Sequence, residues 1–327
     1  MAEFGIGVDL GGTNLRAAAV DLEGNVLELF QISTDTSAGR EKVVADIVAG
    51  IREVRDGHSG DKLIGIGVGV PGLIYLEKGV IAKAPNLPGW EDFPLRDLLE
   101  NELQCPVIVE NDANAAALGE VWIGAGHDVN DLVLLTLGTG IGGGIISNGR
   151  ILHGYLGMAG ELGHITVEPH SGVRCGCGNF GCVEVHASAT AIARMAEEAV
   201  SMGSSRALAA LKEEHGELNA LLVERAARDG DPEAIKIYER MGCWLGLALA
   251  NLVNIFNFPL YLLAGGVVAG WKLFAPTMLD ELEKRSVTYR ESNTRIKKAK
   301  LGNQAGLYGA AYLPMQAARG RTGDALD

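Results

Sequence analysis

The strongest constraint on the fold is a strand–glycine turn–strand unit that occurs twice in the chain. The first copy spans residues 4–21 around Leu10-Gly11-Gly12-Thr13, and the second spans residues 132–147 around Leu137-Gly138-Thr139-Gly140. We interpret the two copies as an internal duplication. Coincidence is the alternative, because the chain has 45 glycines among 327 residues.

Strands and helices alternate along the rest of the sequence. Three strands that end near residue 32 predict an antiparallel meander, and apolar residues at helical spacing predict a helix over 40–54. This alternation predicts an α/β fold, and the length of 327 residues predicts two domains. The other predicted elements are strands over 63–70, 107–110, 260–264 and 295–299, a mainly helical region over 187–257, and helices over 271–284 and 305–318.

The composition restricts the class of protein. A formal net charge of −13 argues against nucleic acid as a partner, because affinity for phosphates depends on Lys and Arg. The first ten residues lack a basic targeting region, and five cysteines, three of them within residues 175–182, do not form a secreted disulfide pattern. The nearly uncharged stretch 246–270 contains Asn residues and Pro259, which fits a buried helix and strand better than a membrane span. We therefore expect a cytoplasmic protein without a membrane partner.

Two common nucleotide-binding patterns are excluded. The sequence has no G-x-x-x-x-G-K-[ST] motif. G-x-G-x-x-G occurs at residues 67–72 and 138–143, but Pro71 lies inside the first match and a predicted strand follows the second. A dinucleotide-binding fold needs a helix directly after this pattern, so neither match supports one.

The turns Asp9–Thr13 and Gly138–Gly142 are candidates for phosphate binding. Their glycines leave backbone N–H groups accessible, and such groups can surround phosphate oxygens. Tight turns without any ligand are the alternative. Asp9 favours phosphate binding, because a carboxylate beside the turn can hold Mg²⁺ through water, and Thr13 and Thr139 add hydroxyl groups.

Asp112 is a candidate general base. It follows the predicted strand 107–110, in the sequence Glu110-Asn111-Asp112, and a helix begins near Ala113. Ligands of α/β sheets bind at the carboxyl ends of strands, where this carboxylate could accept a proton from an attacking hydroxyl. A helix N-cap is the alternative role for Asp112.

The most specific motif combines His164 with the segment Cys175-Gly-Cys-Gly-Asn-Phe-Gly-Cys182. One His and three Cys suit tetrahedral Zn²⁺, and four protein ligands leave no open position, which predicts a structural metal. Buried thiols beside an unrelated His are the alternative. Cys105 and Cys243 lie in apolar stretches and are interpreted as core thiols.

Glu161 and Glu184 flank this cluster. If zinc holds one ring nitrogen of His164, the other is fixed as an N–H donor. That donor and the two carboxylates would form a set of hydrogen-bonding groups suited to sugar hydroxyls. Either Glu alone is equally consistent with a solvated surface carboxylate.

Together the motifs resemble the ROK family, which is named for repressors, open reading frames and sugar kinases. The resemblance covers residues 5–314. The segments Asp9–Thr13 and Leu137–Gly144 resemble the two phosphate turns of the family. Glu161–His164 matches E-x-G-H, and Cys175–Glu184 matches C-x-C-G-x-x-G-C-x-E.

The resemblance implies an actin-like (ribonuclease H-like) ATPase fold, in which two α/β domains close over a cleft. It also implies an ATP-dependent sugar kinase that uses Mg²⁺ with the nucleotide and a structural Zn²⁺, with Asp112 as catalytic base. The implied sugar-binding residues are Asn111, Asp112, Glu161, His164 and Glu184, and the implied zinc ligands are His164, Cys175, Cys177 and Cys182. The nucleotide-binding residues are Asp9, Gly11, Gly12, Thr13, Asn14, Gly138, Thr139, Gly140, Gly265 and Gly266.

The sequence departs from the family pattern at two places. Asn14 stands where the family often has Lys, and the spacing from His164 to Cys175 is one residue longer, with the extra residue expected in Glu168–Gly172. The expected domains are residues 1–115 with a C-terminal helix over 302–320, and residues 116–301 with the zinc loop. A mobile tail is expected over 319–327, and a homodimer is the expected assembly.

The sugar is predicted from the segment Ala84–Trp90, which resembles the glucokinase branch and places Asn86 on the sugar. This favours phosphorylation of the 6-hydroxyl of glucose. Fructose, mannose, allose and N-acetylmannosamine are alternative substrates. A non-catalytic sugar sensor of the repressor type is the alternative of another class, but those repressors carry a DNA-binding helix-turn-helix that the eight residues before Asp9 do not accommodate.

Overall fold

The computed structural model describes residues 2–84, 87–170 and 172–322. Asn86 and residues 323–327 of the predicted tail lie outside the described residues, as does Ser171 in the predicted insertion. The strands are β1 (Glu3–Leu10), β2 (Asn14–Asp21), β3 (Val26–Ser33), β4 (Lys62–Val70), β5 (Leu73–Tyr75), β6 (Val80–Lys83), β7 (Val107–Asn111), β8 (Leu132–Leu137), β9 (Ile141–Ser147), β10 (Arg150–Ile151), β11 (Leu260–Ala264) and β12 (Arg295–Lys298).

Helices and strands alternate, which confirms the predicted α/β class. The helices are α1 (Arg40–Asp56), α2 (Leu95–Leu103), α3 (Asp112–Trp122), α4 (Glu184–Ala187), α5 (Ala189–Ser201), α6 (Arg206–His215), α7 (Ala220–Arg228), α8 (Pro232–Phe256), α9 (Trp271–Arg285), α10 (Val287–Arg290) and α11 (Ala305–Thr322). The chain forms two compact units, the first with Met1–Leu134, Gly144–Gly160 and Ala299–Asp327, and the second with Leu135–Gly143 and Glu161–Lys298.

A five-stranded sheet with the order β3-β2-β1-β4-β7 forms the centre of the first unit. The predicted antiparallel meander is confirmed by β1, β2 and β3, and β4 and β7 continue the sheet in parallel with β1. The register pairs Asp9 with Gly69 and Gly69 with Glu110. The carboxyl ends of β1, β4 and β7 therefore meet at one edge of the sheet, where ligands of α/β proteins bind.

Alternating glycines in β1 and β4 allow α11 to pack close to this sheet. A Cβ added at Gly7 would lie 2.2 Å from the carbonyl oxygen of Leu307, and one at Gly67 would lie 2.0 Å from that of Ala310. Because successive strand residues point to opposite faces, these glycines share the face that meets the helix. The opposite face carries buried Ile and Val side chains, among them Ile6 and Val68, which join the main core of the unit.

The second sheet has the order β10-β9-β8-β11-β12. When the five strands of each sheet are counted in chain order, both sheets have the same spatial order: third, second, first, fourth and fifth strand. The outer pair β9–β10 is antiparallel and the pair β11–β12 is parallel, as in the first sheet. This common order supports the internal duplication predicted from the two glycine turns.

The compact units do not follow the predicted division at residue 115. Helix α3 lies against α11, and the contact is so close that a Cβ added at Gly309 would be 1.6 Å from the oxygen of Ala115. The whole of α3 therefore belongs to the first unit. Residues 319–322 of the predicted mobile tail continue α11.

None of the helices in the described ranges combines the length and the apolar composition needed to cross a bilayer. The nearly uncharged stretch 246–270, considered above as a membrane span, forms the end of α8, strand β11 and a short 3-10 turn over Gly266–Gly270.

Candidate active site and metal centre

Asp9 lies near the end of β1 and forms an ion pair with Arg16 on β2. Arg16 Nη2 donates to Asp9 Oδ2 at 2.9 Å, and the two side chains are only 20% and 15% exposed. Burial raises the pKa of Asp9 to about 6, although the Arg16 charge acts to lower it; the nearby Asp112 carboxylate raises it further. At neutral pH Asp9 is therefore mainly ionised and can interact with a cation.

The first glycine turn leaves its central residues exposed. Gly11 N donates to Asn14 O at 2.8 Å, which closes the turn, and no atom lies within 4 Å of a Cβ added at Gly12. Thr13 and Asn14 are also exposed, and Asn14 Nδ2 donates to Thr13 Oγ1 at 3.0 Å. The turn thus presents an unobstructed backbone next to Asp9.

Asn111, not Asp112, is the N-cap of α3. Asn111 Oδ1 accepts from Ala113 N at 2.9 Å and from Asn114 N at 3.1 Å, while Asn111 Nδ2 donates to Gly72 O at 3.2 Å. Asp112 is the first residue of the helix, with Oδ1 accepting from Ala113 N at 2.9 Å. Burial raises the pKa of the Asp112 carboxyl. A carboxylate with a raised pKa is a stronger proton acceptor, which suits a general base.

The second glycine turn, between β8 and β9, belongs to the second unit. Gly138 N donates to Gly140 O at 3.0 Å, and a Cβ added at Gly138 would have no atom within 4 Å. Thr190 Oγ1, at the start of α5, donates to Thr139 O at 2.7 Å. A strand follows the turn, as the sequence predicted when it excluded a dinucleotide-binding helix.

Gly265 lies directly against the strand that leads into this turn. Its φ is +91°, and an added Cβ would be 2.3 Å from Leu137 O. Only glycine meets both requirements. Gly266 begins the following 3-10 turn, and an added Cβ there would meet no atom within 4 Å.

His164, Cys175, Cys177 and Cys182 form a cluster whose ligand atoms all lie within 4.8 Å of one another. Cys177 Sγ and Cys182 Sγ are 3.8 Å apart, and His164 Nδ1 and Cys175 Sγ are 3.5 Å apart. With bonds of about 2.3 Å to sulfur and 2.0–2.1 Å to nitrogen, tetrahedral zinc requires separations of about 3.8 Å and 3.6 Å for these pairs. The four residues therefore fit a zinc ion.

The three thiols influence one another strongly. Burial raises the pKa of Cys175 to about 12 and also raises that of Cys182. Burial acts in the same direction on Cys177, but hydrogen bonds from the Asn179 backbone and from the other two thiols outweigh it, so the Cys177 pKa is lowered. Binding of a divalent metal requires the cysteine ligands to lose their protons, so metal uptake by this cluster is coupled to proton release.

Glu161, His164 and Glu184 are brought together around the start of β9. Glu184 Oε2 accepts from Ile141 N at 2.9 Å, and His164 Nε2 lies 3.8 Å from Glu161 Oε2. A Cβ added at Gly163 would be 2.0 Å from Ile141 O, so the glycine of E-x-G-H permits this close approach. His164 directs Nδ1 to Cys175 Sγ and Nε2 to the Glu161 carboxylate, the arrangement expected of a metal-ligating His whose second ring nitrogen is held by a carboxylate.

A model of the ROK family matches residues 5–317. The chain belongs to the ROK family. Glucokinases from Halalkalibacterium halodurans and Thermotoga maritima are 42% and 39% identical to it, each over 313 residues. These matches cover 95% and 94% of this chain, and 94% and 96% of the two relatives.

A ROK family glucokinase from Streptomyces griseus, solved in complex with glucose and AMPPNP, has the same fold. The TM-score is 0.80 at 35% identity, over 96% of this chain and 99% of that one. The ROK resemblance and the actin-like α/β fold predicted from the sequence are therefore confirmed.

The predicted site residues of this ROK chain fall on both units. The first carries Asp9, the first glycine turn, Asn111 and Asp112, and the second carries the zinc cluster, Glu161, Glu184, the second turn and Gly265. Cys105 and Cys243, predicted as core thiols, are half-buried. Cys105 packs against the main core of the first unit without belonging to it.

Three further residues of the first unit contact the predicted site. Arg16 pairs with Asp9, and Glu110 and His153 form a pair directly behind Asn111. Glu110 could have been noticed as a carboxylate at the end of an otherwise apolar strand. The sequence around His153 contains no motif, and its position depends on tertiary structure.

Proposed function

We propose that this chain is an ATP-dependent glucose kinase that forms glucose 6-phosphate. The observation that carries the proposal is the similarity over nearly the full chain to glucokinases, one of which binds glucose together with AMPPNP, an analogue of ATP. The unobstructed glycine turns and the buried Asp112 agree with this activity.

Asp112 is the proposed general base. In an in-line transfer, the 6-hydroxyl oxygen of glucose forms a bond to the γ-phosphorus while the bond from that phosphorus to the β–γ bridging oxygen breaks. ADP leaves, and the hydroxyl proton passes to Asp112. The raised pKa of Asp112 favours acceptance of this proton, and Asn111 fixes the position of Asp112 by capping the helix that it begins.

The two glycine turns are proposed to hold the polyphosphate. Backbone N–H groups at Gly12 and Gly138 are unobstructed, and such groups stabilise phosphate oxygens. Asp9 would hold Mg²⁺ through water, because its carboxylate is ionised at neutral pH and adjoins the first turn. Gly265 and Gly266 would lie beside the adenosine.

Glu161, His164 and Glu184, together with Asn86, Asn111 and Asp112, are the proposed sugar-binding residues. Zinc, when bound to His164 and the three cysteines, supplies a four-coordinate structural link. The chain itself positions Glu184 through Ile141 N and Glu161 through the 3-10 turn Leu162–His164. Cytoplasmic location and homodimeric assembly belong to the same proposal.

The decisive experiment is a coupled assay of ADP release with glucose, fructose, mannose, allose and N-acetylmannosamine. We expect glucose to have the highest kcat/KM. Asp112→Asn should lower kcat by about 10²–10⁴-fold, the usual contribution of general-base catalysis, and should leave sugar binding largely intact. Asp56→Asn, on the exposed end of α1, is the matched control and should retain normal kcat.

Near-normal kcat in Asp112→Asn would exclude this residue as the base. Wild-type protein that contains zinc and binds sugar but never releases ADP would instead indicate a sugar sensor. A higher kcat/KM for another hexose would change the substrate and leave the kinase assignment intact.

A further inference from the structure

Glu110 is a charged side chain at the end of β7 that is only 2% exposed. A carboxylate in such a position is stable only if hydrogen bonds replace its lost hydration. Glu110 Oε1 accepts from Asn111 N at 2.8 Å and from Asn114 Nδ2 at 3.0 Å. Glu110 Oε2 accepts from His153 Nε2 at 2.7 Å. Both oxygens of the carboxylate are therefore engaged.

The bonds to Oε1 hold the turn that carries the proposed base. One fixes the peptide N–H of Asn111, and the other fixes the side chain of Asn114 in the first turn of α3. Asn111 in turn caps the helix through Ala113 N and Asn114 N. Asp112 lies between these anchored residues, so the Glu110 carboxylate restrains the backbone on both sides of it.

His153 is the only partner of Glu110 among these contacts that comes from a distant part of the chain. It follows β10 and begins the segment 152–160, which leads to the E-x-G-H sequence at Glu161–His164. Leu152 N donates to Ile145 O at 2.8 Å, which ties the start of the segment to β9, and Ala159 N donates to His153 O at 3.1 Å, which closes the segment on itself. The ring is 40% exposed and its Nε2 points to the buried carboxylate.

We propose that His153 is a positioning residue for phosphoryl transfer, acting through Glu110 to fix the Asn111–Asp112 turn. The proposal rests on the proposed kinase function and assigns His153 a role that it exerts through Glu110. His153 donates to Oε2, so that Oε1 stays directed to Asn111 and Asn114. The segment 152–160 is thereby tied to the end of β7.

Removal of the ring has a definite physical consequence. Glu110 would lose the donor to Oε2 and would remain a buried carboxylate with a free oxygen, which is costly. A cavity of about 180 Å³ borders Glu110 and His153 and is also lined by Leu76 and Arg96, so the carboxylate has space to turn away. Arg96 does not replace the ring, because it donates to Glu77 O and lies 3.7 Å from Asp97. A turned carboxylate would release Asn111 and Asn114.

The test compares His153→Leu with His153→Gln. The Leu variant removes the donor, whereas the Gln variant offers an amide Nε2 at a similar reach. We expect His153→Leu to lower kcat/KM for glucose about 10-fold or more while KM for ATP changes less than about twofold. His153→Gln should retain kcat/KM for glucose within about threefold of wild type. His58→Leu is the control, because it also removes an imidazole ring that pairs with a glutamate. His58 Nε2 lies 3.5 Å from Glu28 Oε2, and Glu28 is on β3, the outer strand opposite β7 in the same sheet.

A second measurement does not depend on activity. Hydrogen exchange of the amides of Asn111, Ala113 and Asn114 reports whether the turn is held, because each of these N–H groups donates within the network. We expect exchange to accelerate about tenfold or more in His153→Leu and to remain near wild type in His153→Gln and His58→Leu.

Each outcome decides between the alternatives. Unchanged exchange and kinetics in His153→Leu would overturn the proposal, and so would a Gln variant as impaired as the Leu variant. Equal effects in His58→Leu would indicate general destabilisation and would also overturn it. Wild-type protein without glucose kinase activity would contradict the proposed function, while hydrogen exchange would still decide whether His153 holds the turn.

Discussion

Asp9 lies near the end of β1 and Asp112 directly follows β7, and both residues have a raised pKa. The register places Gly69 between them in the sheet, so no side chain of β4 separates the two carboxyls. Burial is the main cause at both residues, and the Asp112 charge contributes to the shift of Asp9. The Arg16 charge offsets only part of the rise in the pKa of Asp9. The two carboxyls, Asp9 and Asp112, are therefore suited to attract a cation.

The pKa of Asp9 predicts how stability depends on pH. Its folded-state pKa of about 6 lies above the ordinary value of 3.8, so the stabilising contribution is complete below pH 4 and is lost as pH rises through 6. Asp9→Asn cannot ionise. Relative to wild type, its free energy of unfolding should therefore improve by about 2 kcal/mol between pH 4 and pH 7.

Denaturant titration of both proteins at several pH values measures this difference. Asp56→Asn, which is 77% exposed, should show no such trend and serves as the control. A difference between Asp9→Asn and wild type that stays constant with pH would show that Asp9 is not buried as described.

At the residue scale, motifs predicted those site residues that a short sequence defines. The four candidate zinc ligands, Asn111 and Asp112 were predicted in this way, and the structure places the four candidate ligands in one cluster. Arg16, Glu110 and His153 were missed, because their partners depend on strand register and on a segment about forty residues away. The N-cap of α3 is Asn111 and not Asp112, the residue considered for this role, because the sequence alone does not fix which residue begins the helix.

At the element scale, the zinc loop, residues 174–184, is held by backbone hydrogen bonds and by the cluster of candidate metal ligands. Isolated bridges join Thr166 to Cys182 and Arg174 to Phe180, and Cys175 N donates to Asn179 O at 2.7 Å. The loop is rich in glycine, Cys177 and Phe180 in its middle are exposed, and its buried side chains include two candidate ligands, Cys175 and Cys182. Its order should therefore depend on bound metal.

Cys177→Ser should lower zinc content and raise KM for glucose about 10–100-fold, the usual effect of disturbing the surroundings of a metal site. KM for ATP should change less, because Glu161 and Glu184 adjoin the cluster and are proposed to bind sugar. Metal analysis beside steady-state kinetics for both substrates measures this. Cys243→Ser, at a half-buried cysteine outside the cluster, is the control. Fully active protein without zinc would refute the ligand assignment, and a change in KM for ATP alone would refute the placement of the sugar.

Elements with continuous apolar sequences or strong periodicity were predicted closely, including β8 and β11, whose predicted bounds match the structure. The hairpin of β5 and β6 was missed, since strands of three and four residues carry too little pattern. Helix α2 was also missed, although Leu95, Leu99 and Leu103 have helical spacing. These elements follow a segment rich in Pro and Gly, where local turn preferences dominate.

At the scale of the whole molecule, the common strand order of the two sheets connects the duplication to the function. Each copy supplies one glycine turn between its first two strands, after Leu10 and after Leu137. The predicted division at residue 115 falls inside α3, whereas the compact units depend on packing and keep this helix whole. Glu120 of α3 illustrates this, because its carboxylate is buried and accepts hydrogen bonds from Lys300 N and Leu301 N, 180 residues away.

Binding of the correct sugar should stabilise the whole protein measurably. Ligand at 100 times its dissociation constant adds about 2.7 kcal/mol to the free energy of unfolding. An unfolding entropy of about 2.1 cal/mol/K per residue gives about 0.7 kcal/mol/K for 327 residues, so Tm should rise by about 4 °C when the chain unfolds as one. Thermal scans with glucose, fructose, mannose, allose and N-acetylmannosamine at equal concentration should show the largest rise with glucose.

Asp112→Asn should keep this rise in Tm with glucose while losing activity, which separates sugar binding from proton transfer. A larger rise with another hexose would identify that sugar as the better ligand, and no rise with any of the five would contradict a hexose site in this chain.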